Sequence, residues 1–290
     1  MPYRSIRGHD HYIEWVTQRA DQPSPPKPVM VFLHGWGGSG RYWRSTAAQL
    51  ADRVDCLLYD LRGFGRSQLH QSPPSAADAS AYPLQSYVED LVALLDDLQI
   101  PQAYLQAHSM GATIATLFSN QYPQRVQGVI LTSTGLFTYD PQIFRQFHQV
   151  SQWVVRLRPS WLVYIPFIDQ LLMGRFLHRS IPPDQRREFV GDYLGAEAGA
   201  ALGTLRSAVS EAIAIGLRQE FTRLSVPALI ISGEQDKIVS AQSGQEAAAL
   251  NPKIDYVLMT ETGHFPMLED PLVYGQQIRD FLDAVPCCYG

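Results

Sequence analysis

Residues 107–111, AHSMG, place a single serine where a short strand is expected to turn sharply into a helix. QAYLQ at residues 102–106 predicts the strand, and the small apolar run at residues 112–117 predicts a helix packed closely against a sheet. Such a turn lifts the serine hydroxyl above the sheet on a strained backbone, so Ser109 is exposed for nucleophilic attack. The usual pattern of this turn is G-x-S-x-G, and Ala107 replaces its first glycine.

A glycine-rich turn is expected beside this serine. VMVFL at residues 29–33 predicts a buried parallel strand, and it leads into His34, Gly35, Trp36 and two further glycines. A turn of this kind can aim a backbone N–H at the oxyanion that forms when serine attacks a carbonyl group. We assign that role to the amides of Trp36 and Met110. A tight turn with no role in binding is the alternative interpretation.

A serine hydroxyl becomes a good nucleophile only when a base removes its proton, and that base needs an orienting acid. His264 follows the predicted strand at residues 254–259, which places it at the carboxyl end of a late strand. Asp236 follows the predicted strand at residues 228–233 in the same way. We therefore assign His264 as the base and Asp236 as the acid, with Glu234 as the competing acid.

Two further motifs complete a resemblance to a known family. DLRGFGRS at residues 60–67 follows the second predicted parallel strand, and EDP at residues 269–271 follows Gly263 and His264. Together with the serine turn and the glycine turn, these motifs resemble the α/β-hydrolase superfamily over nearly the whole chain. No cluster of His, Cys and Asp has the spacing of metal ligands, so no metal ion is expected. In that family DLRGFGRS marks a structural turn, and the triad occurs in the chain order Ser, Asp, His.

The alternation of predicted strands and helices indicates one α/β core. Helical apolar spacing at residues 84–98, and helices near 245–250 and 273–282, predict a doubly wound, mostly parallel sheet behind a hairpin-like start. The alternation of strands and helices stops after the sixth core strand, where residues 137–222 predict a helical cap, or lid. The core is then formed by residues 1–136 and 223–290.

The predicted cap is unusually rich in bulky apolar residues between positions 153 and 177. Most of them are expected to form the core of the cap and its contact with the main domain. The others line an apolar pocket above Ser109 or form a surface that contacts membrane, with arginines beside it. The arginines are Arg156, Arg158, Arg175 and Arg179. The expected pocket comprises His34, Gly35, Trp36, His108, Phe137 and Trp153, with the His108 side chain pointing away from Ser109 and packing.

Composition excludes several classes of protein. The 290 residues carry a net charge of −5 and contain no basic cluster, so no nucleic-acid partner is expected. No apolar run approaches the roughly 18 residues that span a bilayer, and the N-terminus lacks the apolar stretch of a signal peptide. We therefore expect a cytoplasmic protein. Its three cysteines form no disulfide scaffold, and the tail with Cys287 and Cys288 lacks the aliphatic pair of a prenylation motif.

The sequence thus predicts a serine hydrolase that cleaves a small-molecule carboxylic ester through an acyl-enzyme, without a cofactor or metal ion. The apolar cap favours a lipophilic acyl or alcohol group. Two alternatives remain. A carbon–carbon bond hydrolase uses the same triad, and some ligand receptors of this fold keep the triad with little turnover. Repeated turnover of an ester distinguishes the prediction from both.

Overall fold

The architecture comes from a computed structural model, in which eight strands form one sheet within the described part of the chain. The structure describes residues 2–18, 27–67, 82–137 and 139–285. The strands are β1 (Tyr3–Ile6), β2 (His9–Val16), β3 (Val29–Leu33), β4 (Asp55–Tyr59), β5 (Ala103–His108), β6 (Val126–Thr132), β7 (Ala228–Gly233) and β8 (Ile254–Met259). Cys287 and Cys288 lie outside the described residues.

The sheet has the order β1-β2-β4-β3-β5-β6-β7-β8. The first two strands pair antiparallel with each other, and β2 pairs antiparallel with β4. The neighbours from β4 through to β8 are all parallel. Residues 30–33 of β3 and all of β5 are buried, as expected for strands covered by helices on both faces. The predicted doubly wound, mostly parallel sheet is confirmed.

Helices cover both faces of the sheet. They are α1 (Arg44–Leu50), α2 (Leu84–Asp97), α3 (Met110–Gln121), α4 (Pro141–Arg156), α5 (Ile168–Met173), α6 (Pro183–Gly195), α7 (Ala198–Ala208), α8 (Glu211–Thr222), α9 (Ala241–Ala248), α10 (Pro266–Glu269) and α11 (Pro271–Ala284). The five helices α4 to α8 lie between β6 and β7, and we call these helices, with the segments that join them, the helical insertion. Among the described residues no single helix is long and apolar enough to cross a membrane. Helices α7 and α8 have the required length and composition only when taken together, and the chain bends by 61° between them.

Helix ends differ from the sequence prediction where capping residues act. Helix α9 begins at Ala241, four residues before the predicted start, because the Ser240 hydroxyl accepts a hydrogen bond from the Ser243 amide. Helix α11 begins at Pro271 because the Asp270 carboxylate caps it by accepting from the Val273 amide. The strands at residues 29–33, 228–233 and 254–259 have the predicted bounds.

The DLRGFGRS motif forms a turn organised by a buried carboxylate. Asp60 accepts hydrogen bonds from the Gly40 amide at 2.7 Å and from the Arg66 amide at 2.8 Å, and the Arg66 guanidinium also binds it. A Cβ at Gly65, whose φ is +52°, would lie 2.6 Å from the Asp60 carboxylate. Asp60 therefore holds the segment after β4 against the segment after β3.

The helical insertion is fixed to the core at two of these segments. Asp192 of α6 is buried and accepts hydrogen bonds from the Ser39 hydroxyl and the Arg41 guanidinium. The Glu197 amide, just before α7, donates to the Gly63 carbonyl at 2.9 Å. Burial raises the pKa of Asp192 from 3.8 to about 6, against the opposing effects of Ser39 and Arg41.

Asp192→Asn is expected to remove part of the pH dependence of stability. Because folding raises this pKa, the residue contributes stability that is complete below about pH 4 and is lost as the pH rises through about 6. One pKa unit corresponds to about 1.4 kcal/mol. Urea unfolding at several pH values measures the effect, and Asp184→Asn, an exposed acid of the same helix, is the control. Parallel pH curves for wild type and Asp192→Asn would contradict the expectation.

Candidate active site

Ser109 lies in the sharp turn between β5 and α3. Its backbone has φ 52° and ψ −118°, a strained conformation for a residue with a side chain, and its amide donates to the Thr132 carbonyl at 2.9 Å. A Cβ at Gly111 would lie 2.6 Å from the His34 carbonyl oxygen, so only glycine lets α3 approach β3 this closely. Ala107 is fully buried in β5, where its methyl group is accommodated.

Ser109, His264 and Asp236 form a chain of two hydrogen bonds. The His264 Nε2 atom lies 3.2 Å from Ser109 Oγ, and His264 Nδ1 lies 2.7 Å from Asp236 Oδ2. An ionised carboxylate only accepts, which assigns the proton to Nδ1 and leaves Nε2 to accept from the serine hydroxyl. The other Asp236 oxygen accepts from the amides of Ile238 and Val239 at 2.7 and 3.0 Å, which fixes the carboxylate.

The competing acid Glu234 lies elsewhere. Its side chain is exposed, and its Oε2 atom accepts from the Glu261 amide at 3.0 Å. The carboxylate that reaches His264 therefore belongs to Asp236, which is buried.

The loop that carries the histidine is held by the buried carboxylate of Glu269. One of its oxygens accepts from the Gly263 amide at 2.9 Å and from the Phe265 amide at 3.4 Å. The other accepts from the amides of His178 and Arg179, both at 2.7 Å. A single carboxylate thus joins the histidine loop to the helical insertion.

The backbone of His264 is bonded on both sides. Its amide donates to the Phe176 carbonyl of the insertion at 2.7 Å. Its carbonyl oxygen accepts from the Ser133 hydroxyl at 3.0 Å and from His108 Nε2 at 2.8 Å. The position of the imidazole is therefore set by the core and by the insertion together.

The glycine turn is tied to the same network through Tyr42. The Gly35 amide donates to the Tyr42 hydroxyl, and that hydroxyl lies 3.3 Å from His108 Nδ1. Burial lowers the pKa of His108 well below its ordinary value and raises that of Tyr42 well above, so both rings are neutral. A Cβ at Gly35 would lie 2.7 Å from His108 and 3.2 Å from the Ser109 Cβ, so glycine is needed there.

Trp36 joins the glycine turn to the helical insertion. Its indole N–H donates to the Ala201 carbonyl of α7 at 2.9 Å, and its ring centre lies 5.6 Å from that of Tyr193 in α6. It also packs on the cluster of Val155, Ala201 and Leu202. The insertion therefore contacts the residue that follows Gly35, directly beside the serine turn.

The residues of the expected pocket occupy different environments. His34 and His108 are fully buried, whereas Phe137 is 38% and Trp153 is 63% exposed. On the buried side of α4, Val155 belongs to the cluster on which Trp36 packs. Sequence reasoning missed Tyr42, because no motif marks a tyrosine this far before the serine. It identified Glu269 only as part of the motif at residues 269–271, without a role for its side chain.

The histidines around the site use their ring nitrogens within the protein. His34 Nδ1 lies 2.8 Å from the Gly35 carbonyl, and its Nε2 accepts from the Leu61 amide at 2.9 Å. Both ring nitrogens of His108 and of His264 also lie within hydrogen-bond distance of protein atoms. Within the described ranges no group of three or more His, Cys, Asp or Glu side chains is arranged to hold a metal ion.

Comparison with known proteins identifies relatives over most of the chain. A sequence model of the alpha/beta hydrolase fold matches residues 28–271, which confirms the resemblance indicated by the motifs. The chain is 26% identical to a 2-(acetamidomethylene)succinate hydrolase of Mesorhizobium japonicum (89% of this chain, 88% of the relative). It is 24% identical to a pimeloyl-[acyl-carrier protein] methyl ester esterase of Aeromonas hydrophila (88% and 95%). The structure superposes on the enol-lactonase of Burkholderia xenovorans with a TM-score of 0.77 at 19% identity, covering 97% of this chain and all of that one.

Glu269→Ala is expected to loosen the histidine loop. It leaves up to four backbone N–H groups without their acceptor, and each unsatisfied buried group costs about 1–3 kcal/mol unless water replaces the carboxylate. Urea unfolding measures the loss of stability. Glu261→Gln is the matched control in the same loop, because Glu261 is exposed and its contact with Arg179 is at the surface. Equal effects of the two substitutions would contradict the assigned role of Glu269.

Proposed function

Since the chain belongs to the α/β-hydrolase family, we propose that it is a serine hydrolase with Ser109 as nucleophile, His264 as general base and Asp236 as orienting acid. The observation that carries this proposal is the hydrogen-bonded chain at 3.2 and 2.7 Å. The strained backbone of Ser109 supports it, because strain of this kind is retained where a function requires it.

In the first half of the reaction Ser109 Oγ attacks the substrate carbonyl while His264 Nε2 takes the hydroxyl proton. The imidazolium that forms is stabilised by Asp236 across the 2.7 Å hydrogen bond. The oxyanion is bound by the amides of Trp36 and Met110. Two features support these donors: Met110 begins α3, so its N–H has no acceptor within the helix, and Tyr42 fixes the glycine turn.

The adduct then collapses: the bond from the carbonyl carbon to the alkoxy oxygen breaks as His264 gives its proton to the leaving alcohol, which leaves the acyl-enzyme. In the second half His264 activates a water molecule by taking its proton. Water adds to the acyl-enzyme carbonyl, the bond to Ser109 Oγ breaks, and the acid is released with the proton back on the serine. The network around the His264 backbone keeps the imidazole in reach of Ser109 in both steps.

The substrate we propose is a carboxylic ester with an apolar acyl or alcohol group. One relative is named a methyl ester esterase and one structural neighbour an enol-lactonase, and a lactone is a cyclic ester. The apolar contacts between Trp36 and the helical insertion lie beside the serine turn, which supports an apolar site. Residues 137–222 serve as a cap over that site.

Three substitutions test the assigned roles. Ser109→Ala is expected to lower kcat for p-nitrophenyl esters by roughly 10⁴-fold or more, and Asp236→Asn by roughly 10³- to 10⁴-fold without unfolding the protein. Glu234→Gln is the matched control for the acid and is expected to stay within about twofold of wild type, since an exposed group away from the reaction contributes little. A dead Glu234→Gln with an active Asp236→Asn would reverse the assignment.

The choice of substrate class is tested by steady-state hydrolysis of p-nitrophenyl esters from acetate to palmitate. Turnover that depends on Ser109 and rises with chain length is expected, because each buried methylene adds roughly 0.8 kcal/mol of apolar contact. A preference for acetate would contradict the lipophilic substrate but keep the esterase. Folded protein that is acylated only once, or not at all, would favour a ligand receptor or a carbon–carbon bond hydrolase.

A further inference from the structure

Helix α4 has three distinct sides. Phe144, Ser151 and Val155 are buried on the side that packs against α7. A second side, spanning about 120° at about 100° per residue, is apolar yet exposed. It consists of Phe147, Val150, Trp153 and Val154, and Leu157 continues it just past the helix end; their exposed fractions run from 38% to 67%. The third side is polar and carries Arg145 and Arg156, both exposed.

Exposed apolar residues continue beyond this helix. Trp161, Tyr164, Phe167 and Leu171 are between 59% and 85% exposed in the segment that follows α4. Of the 19 large apolar side chains that are exposed in the described residues, 11 lie between positions 147 and 171. We call these 11 side chains the apolar patch. Single exposed apolar residues are ordinary in proteins, but a concentration of this kind indicates an interaction surface.

The charged side chains of residues 141–168 are all arginines. Residues 141–168 contain no aspartate or glutamate, although the whole chain has a net charge of −5. The next acid, Asp169, is bonded to Arg186 at 2.7 Å. Asp140 and Glu211 lie near Tyr139 together with Arg145, so Arg156 is the exposed cation of α4 that lies farther from these acids. An apolar surface with cations beside it is complementary to the headgroups and upper acyl chains of an anionic bilayer.

We propose that the apolar patch inserts into the interfacial layer of a membrane that contains anionic phospholipid, with α4 lying in the plane of that layer. Trp153, Trp161 and Tyr164 suit the headgroup level, where amphipathic aromatic rings concentrate. Arg145 and Arg156 contact lipid phosphates. The buried side of α4 carries Val155, a member of the cluster on which Trp36 packs, so a bound membrane lies next to the site without filling it.

A second copy of this chain is the less favoured occupant. In a two-fold contact the same patch faces itself, so Arg145 and Arg156 of each copy would approach like charges. No acid lies within residues 141–168 to pair with them. Like charges brought together across an interface oppose binding, whereas lipid phosphates neutralise these arginines.

Cosedimentation with vesicles tests the proposal on the full chain carrying Ser109→Ala, so that no lipid ester is consumed. Binding is expected to vesicles of phosphatidylcholine mixed with phosphatidylglycerol, with a blue shift of tryptophan fluorescence, and to weaken in high salt or on phosphatidylcholine alone. Because this readout needs no turnover, its failure is separate from failure of the proposed hydrolase.

Matched variants locate the contact. Leu171 and Leu272 are both 76% exposed, but only Leu171 belongs to the apolar patch. Leu171→Gln and Leu157→Gln are each expected to lower the partition coefficient roughly tenfold, and Leu272→Gln to leave it within about twofold. Arg156→Gln is expected to lower binding to anionic vesicles roughly fivefold, with the exposed Arg218→Gln as its control.

Three results would overturn the proposal. The first is no binding of folded protein to the anionic vesicles, and the second is equal loss of binding in Leu171→Gln and Leu272→Gln. The third is a dimer in light scattering that Leu171→Gln converts to monomer, since a second copy would then occupy the patch. Circular dichroism of each variant checks that it is folded.

Discussion

The two hydrogen bonds to the carbonyl oxygen of His264 hold the site together. Ser133 follows β6, and His108 ends β5, so these bonds fix the histidine loop to the carboxyl edge of the parallel sheet. His108 also connects this loop to the glycine turn, because its other nitrogen faces the Tyr42 hydroxyl that fixes that turn. Neutral, buried rings are suited to this task, since each nitrogen has one defined role as donor or acceptor. The serine turn, the loop of the proposed base and the glycine turn are positioned by one continuous network.

The parts of this site that could be predicted from sequence are those with local signals. Buried strands carry apolar runs, and their carboxyl ends meet at one edge. Ser109, Asp236 and His264 could therefore be assigned because each lies in the loop or turn directly after such a strand. Tyr42 and Glu269 act across 66 and up to 91 residues of chain respectively. Such contacts depend on the completed fold: no motif marks Tyr42, and the motif that contains Glu269 does not indicate which groups its carboxylate binds.

The helical insertion shows a different limit of prediction from sequence. Its α4 helix is apolar on two sides, one packed on α7 and one exposed, so apolar spacing predicts a helix but not which side faces the core. The sequence therefore predicts Trp153 in the pocket, whereas Trp153 is 63% exposed and the α4 residue in the cluster on which Trp36 packs is Val155. Only packing against the neighbouring helices separates the two sides.

The helical insertion contacts the site through backbone groups and contacts solvent through apolar side chains. Substitutions at its surface and movements of the whole insertion are therefore expected to affect the site differently. The insertion holds the histidine loop through backbone groups of Phe176, His178 and Arg179. Its apolar patch lies between positions 147 and 171, whereas these three backbone groups lie at positions 176–179. The exposed apolar side chains can thus be substituted one at a time while the backbone contacts that position His264 stay the same. Movement of the whole insertion is different, because it would pull on the Phe176 carbonyl and on the Glu269 carboxylate at once, and both are bonded to the loop of the proposed base.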